Sequence, residues 1–124
     1  MVIDASAWLE IATGRAEPAE LGSSPLTVPA HFDAEVLSGL RGLVRGGHLR
    51  PDDGDAWWQA TAAAPLERVA LSALPDLWDL AAAVAAYDAP YVALALRDRA
   101  TLMTADCRLA RDAAEICDIR LLAA

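Results

Sequence analysis

The chain contains no lysine: its ten basic residues are all arginine, set against 18 acidic ones for a net charge of −8. Non-specific affinity for nucleic acid rests on neutralising many phosphates with cations, and a bulk acidic protein is not built for it. This balance suits solubility, a basic partner, or a concentrated acidic site that takes up cations. Cysteine is scarce, with only Cys107 and Cys117 present. They lack metal-ligand spacing and are too few for a disulfide scaffold, which leaves reduced, partly buried structural positions. Long apolar runs are missing as well. No stretch approaches the ~20 residues of a membrane span. The opening Met1-Val2-Ile3-Asp4 has no basic segment followed by an apolar one, so no secretory leader is expected and the cytoplasm is the expected compartment. No glycine-rich loop follows the first apolar run, where Asp4-Ala5-Ser6-Ala7 stands, and a doubly wound nucleotide-binding domain falls away with it. A phosphatase that used Asp4 as nucleophile would want a second aspartate two residues on, and Ser6 occupies that position.

What is present is a core. The 124 residues are 56% hydrophobic, much of it alanine, and fit a single domain over residues 1–124. A chain of this size buries roughly two-thirds of its unfolded surface. Short apolar runs at Met1–Asp4, Leu26–Val28, Glu67–Leu71, Thr101–Thr104 and Ile119–Leu122 read as strands. Helical periodicity covers Ala5–Thr13, His31–Arg45, Pro51–Pro65, Leu77–Ala86, Asp88–Arg99 and Leu109–Ile116. Gly14 and Gly46-Gly47 stop the first two helices, Glu17–Leu21 reads as a short helix, and Asp52 or Asp53 is the expected cap of the third. Strands alternating with helices predict a parallel sheet covered on both faces, with the functional crevice outside the carboxyl ends of the strands.

Four acids stand where such a fold would aim a carboxylate at that crevice. Asp4 and Asp106 end strands, and Glu35 and Asp88 open helices. Taken singly, Asp4, Asp88 and Asp106 are explained nearly as well by helix capping, since aspartate is a favoured cap. Glu35 lies off the apolar stripe of its helix, on a face with Gly39, Gly42 and Gly46. Those glycines suggest a close approach by a ligand or backbone, or simply tight helix packing. Taken together, the acids favour a cation site. Carboxylates about 5 Å apart repel by roughly 3 kcal/mol per pair at an effective dielectric near 20. Mg²⁺ and Mn²⁺, which prefer oxygen ligands, offset that repulsion.

The strings Val2-Ile3-Asp4-Ala5-Ser6, Pro29-Ala30-His31-Phe32-Asp33-Ala34-Glu35-Val36, Tyr87-Asp88-Ala89-Pro90-Tyr91 and Leu102-Met103-Thr104-Ala105-Asp106 resemble the PIN-domain family, in order and spacing. More narrowly, the chain is similar to VapC-type toxins of bacterial toxin–antitoxin pairs. The resemblance runs over nearly the whole length and is faint across residues 46–80. It implies a three-layer α/β/α fold with a mainly parallel central sheet. It implies a Mg²⁺-dependent endoribonuclease, with Mn²⁺ as a substitute, whose catalytic residues are Asp4, Glu35, Asp88 and Asp106. Asp4, Asp88 and Asp106 are the expected metal ligands, and Glu35 is left open between ligand and base. Ser6 and Thr104 match the small hydroxyls that orient a carboxylate or a water. The implied partners are an RNA substrate, a VapB-type antitoxin that blocks the acidic site, and a second copy in a homodimer.

Arg41, Arg97 and Arg108 are the candidate phosphate contacts, against the plainer reading of solvated helix faces. Trp8, Trp57, Trp58 and Trp78 fall in helical patterns and suggest helix packing or a subunit interface. The competing class is a non-catalytic PIN-like module that acts by binding protein or RNA, and the presence of all four acids argues against it.

Overall fold

The computed structural model describes residues 1–122. β1 (Val2–Ile3) leads into α1 (Ala5–Ala12). β2 (Thr27–Pro29) is followed by α2 (Phe32–Arg45) and α3 (Pro51–Ala63). β3 (Glu67–Val69) precedes α4 (Leu77–Ala83) and α5 (Ala89–Asp98). β4 (Leu102–Thr104), α6 (Cys107–Ala113) and β5 (Ile119–Leu121) complete the order, with 3₁₀ turns at Pro18–Leu21 and Leu71–Ala73. The strands form one sheet in the order β3-β2-β1-β4-β5. Every neighbouring pair is parallel, so the sheet is wholly rather than mainly parallel.

The inner strands β1, β2 and β4 are buried because both of their faces are covered, whereas the edge strands β3 and β5 carry Glu67, Arg68 and Arg120. Val2, Ile3, Val28, Leu102 and Met103 are each 0% exposed. From β1 the chain steps one way along the sheet to β2 and β3, then returns to the other side of β1 for β4 and β5. Right-handed crossovers in opposite directions put α1–α3 and α4–α6 on opposite faces. α5 carries the innermost stretch: every residue from Ala89 to Ala95 is buried, as an all-round apolar helix must be. On the other side Trp8 is the keystone. Its ring packs edge-on against Phe32 and Trp57, and its Nε1–H donates to Thr61 Oγ1 at 2.8 Å.

This topology has a switch point between β1 and β4, where the chain leaves neighbouring parallel strands toward opposite faces. The carboxyl ends of those two strands open a crevice there. Asp4 follows β1 directly and Asp106 follows β4 by two residues.

Several local expectations change. α3 is not capped by Asp52 or Asp53: Arg50 precedes it in extended backbone and Pro51 takes the first helical position. Proline there has a preset φ and lacks only an N–H that would go unbonded anyway. α6 starts at Cys107 rather than Leu109, because the Asp106 side chain caps it. Cys107 is consequently exposed, not partly buried. α4 stops at Ala83, since Val84 turns to extended backbone and enters the core. Of the glycines on the Glu35 face of α2, Gly39 marks a tight helix packing contact. A Cβ on Gly39 would strike the Leu9 side chain of α1, whereas Gly42 faces open space.

Candidate functional site at the sheet switch point

Asp4 is the buried anchor, 5% exposed. Its Oδ1 accepts from the Ala7 N–H at 2.9 Å and from Ser6 Oγ at 2.7 Å. Its Oδ2 accepts from Thr104 Oγ1 at 2.5 Å. The two hydroxyls are themselves oriented by backbone: Ala105 N–H donates to Ser6 Oγ and Asp106 N–H to Thr104 Oγ1, each at 3.0 Å. A hydroxyl has one proton. With both protons committed to Asp4, the 3.2 Å separation of Ser6 and Thr104 is a close approach rather than a further bond. This network staples the end of β1 to the end of β4. Burial raises the Asp4 pKa, the hydrogen bonds from Thr104, Ala7 and Ser6 pull it back, and the Asp106 charge raises it again.

Asp106 spends Oδ1 on the amides of Arg108 and Leu109, at 2.9 and 3.3 Å. Its Oδ2 is left facing the crevice, 4.0 Å from Arg108 Nη2. Asp88 behaves differently from the cap expected of it. It stands before α5 and makes no capping bond, so both its oxygens are uncommitted to the helix. The nearest cation is again Arg108, with Nη2 3.9 Å from Oδ2. The Asp88 carboxyl is pushed up to about 6, first by burial, then by the charges of Asp106 and Asp4, with Glu35 adding to the rise and Arg108 opposing it.

Glu35 enters from the first turn of α2. Its Oε1 accepts from Tyr91 Oη at 2.6 Å and lies 3.3 Å from His31 Nε2. Burial and the adjacent Glu35 carboxylate raise the Tyr91 hydroxyl far above its ordinary range, which keeps it a donor. The four acids therefore share one electrostatic neighbourhood, drawn from four crossovers. Among the described residues, no three His, Cys, Asp or Glu side chains are grouped closely enough to hold an ion as they are. The donor set is nonetheless the one a hard divalent cation prefers. It is all carboxylate oxygen, with Asp88 and the outer oxygen of Asp106 held only by long contacts to Arg108, at 3.9 and 4.0 Å, which offset the charge at Asp88 in part.

A model of the PIN domain matches residues 1–115. Ribonuclease VapC9 of Mycobacterium tuberculosis is 34% identical over 124 residues, covering 98% of both chains. Ribonuclease VapC3 of the same organism is 36% identical over 117 residues, covering 90% of this chain and 85% of that one. The chain is a PIN-domain protein of the VapC type. Among solved structures, PAE2754 from Pyrobaculum aerophilum superposes with a TM-score of 0.72 at 18% identity, covering 94% of this chain and 81% of that one, and so shares the fold.

Of the arginines singled out in this PIN domain, Arg108 alone joins the carboxylates. Arg97 lies nine residues beyond Asp88 on α5, about 13 Å along the axis. It pairs there with Asp98 and feels the charge of Glu67, at the opposite end of the sheet. Arg41 lines a cavity of about 260 Å³ between α2 and α3, with Leu37, Val44 and Trp58. Helical geometry carries it roughly two-thirds of a turn away from Glu35. Asp112, the sixth residue of α6, pairs with Arg111. Sequence reasoning missed Tyr91, whose hydroxyl meets Glu35 across 56 positions. It also missed the fork of Arg68 on Asp33, at 2.7 and 3.0 Å, which ties β3 to α2. The only available signal for Tyr91 was a phenol inside an otherwise apolar helix, because a buried Tyr hydroxyl needs a partner.

Proposed function

We propose that this protein is a divalent-metal-dependent endoribonuclease, the toxin of a toxin–antitoxin pair, and that Asp4, Glu35, Asp88 and Asp106 carry the reaction. The observation that supports it is the charge excess at the switch point: Asp88 is pushed up to about 6 by burial and by three neighbouring carboxylates, and Arg108 offsets them only in part. The relatives' names, VapC ribonucleases, supply the reaction class.

Mg²⁺, with Mn²⁺ as a substitute, would be held by Asp4, Asp88 and Asp106. Bound there, such an ion stabilises charge on the scissile phosphate and lowers the pKa of a water. The chain's own residues do the rest. Ser6, Thr104 and the Ala7 amide hold Asp4 in one orientation. The α6 amides hold Asp106. Asp88, without such bonds, is free to swing toward the cation. Tyr91 fixes Glu35, which then serves either as a further ligand or as the group that takes the water's proton. Arg108 stands where an incoming phosphate would displace its weak contacts with Asp88 and Asp106.

The antitoxin belongs to the same reading. A net charge of −8 and an acidic crevice complement a basic segment of a VapB-type partner. The homodimer is supported by Trp78, which stands 91% exposed on α4. Tryptophan is enriched at interfaces, where its ring gains from burial. Light scattering on the purified protein would report the dimer mass.

The function is tested by incubating the protein with structured and single-stranded RNAs, with Mg²⁺ or with EDTA, alongside Asp4→Asn and Asp106→Asn. Cleavage is expected only from the wild type and only with metal. Products that persist in EDTA, or from both variants, would remove the carboxylate site from the chemistry. RNA bound but never cut would point to the non-catalytic binding module.

A further inference from the structure

Tyr87 immediately precedes Asp88 and is 74% exposed, although it is a large ring beside an acidic crevice. It separates two open cavities. One, of about 520 Å³, is shared with Glu35 and Ser38. The other, of about 180 Å³, is shared with Leu71, Ala86 and Pro90. The ring is supported from behind. His31 stacks on it with centroids 6.3 Å apart and planes 30° apart, and Tyr91 packs in turn against His31 at 5.1 Å. The Tyr87 carbonyl accepts a hydrogen bond at 2.8 Å from His31 Nε2, which ties the turn to the start of α2. The result is a row of three rings running from the buried Tyr91 to the surface, the last of them open to solvent.

We propose that Tyr87, backed by His31, is a stacking platform for a nucleobase next to the phosphate that the carboxylates act on, so that the substrate is unpaired RNA at that position. The inference rests on the RNA reading of the site. Coulombic attraction is limited in a chain at −8, where Arg15, Arg68, Arg97, Arg111 and Arg120 each already meet a carboxylate and Arg108 is the arginine that stands by the acidic site. Stacking needs no charge and tolerates any base, because every base has a π-face. The larger cavity falls in the size range of small-molecule sites, which leaves room for a splayed nucleotide. A base inside a duplex is already stacked on its neighbours and offers no free face, so recognition by stacking selects loops, bulges and single strands.

The test uses a short fluorescein-labelled single-stranded RNA, and the same strand annealed to its complement, titrated against the full chain in EDTA. Tyr87→Ala should weaken single-strand binding by on the order of 5- to 150-fold, the range measured for losing one stacked base. Tyr87→Phe and Tyr87→Trp should keep the affinity. Tyr87→Leu, which retains apolar bulk without an aromatic face, should fall with alanine. The preference for single strand over duplex should disappear in the alanine variant. In Mg²⁺, KM for the single strand should rise by the same factor with a smaller change in kcat. Because the ring is exposed, thermal unfolding of all four variants should match the wild type. Wild-type affinity in Tyr87→Ala, a phenylalanine variant as weak as alanine, or no binding of RNA at all would each overturn the platform. A wild type that binds single strands through Tyr87 but cuts nothing would sink the nuclease reading and keep the platform; equal cleavage with and without the ring would do the reverse.

Discussion

Replacing Asp88 with asparagine should abolish cleavage and stabilise the fold. The carboxyl sits at about 6 in place of 3.8. That rise of about two pKa units corresponds to ~3 kcal/mol of strain in the charged form. The side chain keeps 18% of its surface in solvent, and screening reduces the figure to roughly 1–2 kcal/mol. The sign follows from linkage. Between about pH 4 and pH 6 the folded state binds more protons than the unfolded one. Stability is therefore highest below the unfolded pKa and is lost as pH rises through about 6. Asparagine, neutral throughout, keeps what the wild type loses. In EDTA near pH 8, Asp88→Asn should melt about 5 °C above the wild type for a chain of this length, and the gap should close as pH falls toward 4. Added Mg²⁺ should raise the wild-type midpoint more than the variant's, since an ion that binds only the folded state stabilises it. Circular dichroism melts across pH decide the matter. A variant that melts below the wild type at pH 8, or a gain that survives unchanged at pH 4, would refute the claim that Asp88 is held against charge repulsion and burial.

Three further outcomes follow from the hydrogen bonds. Tyr91→Phe leaves Glu35 without its 2.6 Å donor; it should lower kcat and cost about 1–3 kcal/mol of stability in denaturant titrations. Thr104→Val removes the donor to Asp4 Oδ2. With burial then less opposed, the Asp4 pKa should climb further, and the acidic limb of the cleavage pH profile should shift to higher pH, while an unmoved limb would mean that Asp4 does not titrate in that range. Thr61→Val strands the Trp8 indole N–H; a loss of roughly 1–3 kcal/mol is expected, with cleavage per folded molecule unchanged.

The strands were legible because a parallel sheet covered on both faces demands continuous apolar runs, and Val2-Ile3 and Leu102-Met103 are such runs. The start of α1 was legible because Asp4 caps it, whereas at α6 the Asp106 cap was legible but the helix begins two residues before the expected Leu109. Asp88 looks the same in sequence and does not cap, since whether a carboxylate turns toward the helix amides or toward the crevice depends on what else lies nearby. Arg97 was misplaced for a related reason. It is close to an acid along the chain, but a helix carries neighbours in sequence far apart in space. The Gly39 contact was ambiguous because a missing Cβ leaves no mark of what fills the space, and Leu9 does so here.

The sequence alone determined the alternation of strand and helix, the capping acids, the small hydroxyls beside them and the family whose strings they match, because each of these is a local pattern of residue type and spacing. Only the tertiary structure decided that β1 and β4 are neighbours at the switch point, which brings Asp4 and Asp106 onto one network through Thr104. Only it paired Tyr91 with Glu35, left Asp88 without a capping bond among three like charges, and set an exposed Tyr87 on an open cavity shared with Glu35. Those outcomes depend on distances between residues as much as 56 and 100 positions apart, and such distances follow from packing, which no local pattern encodes.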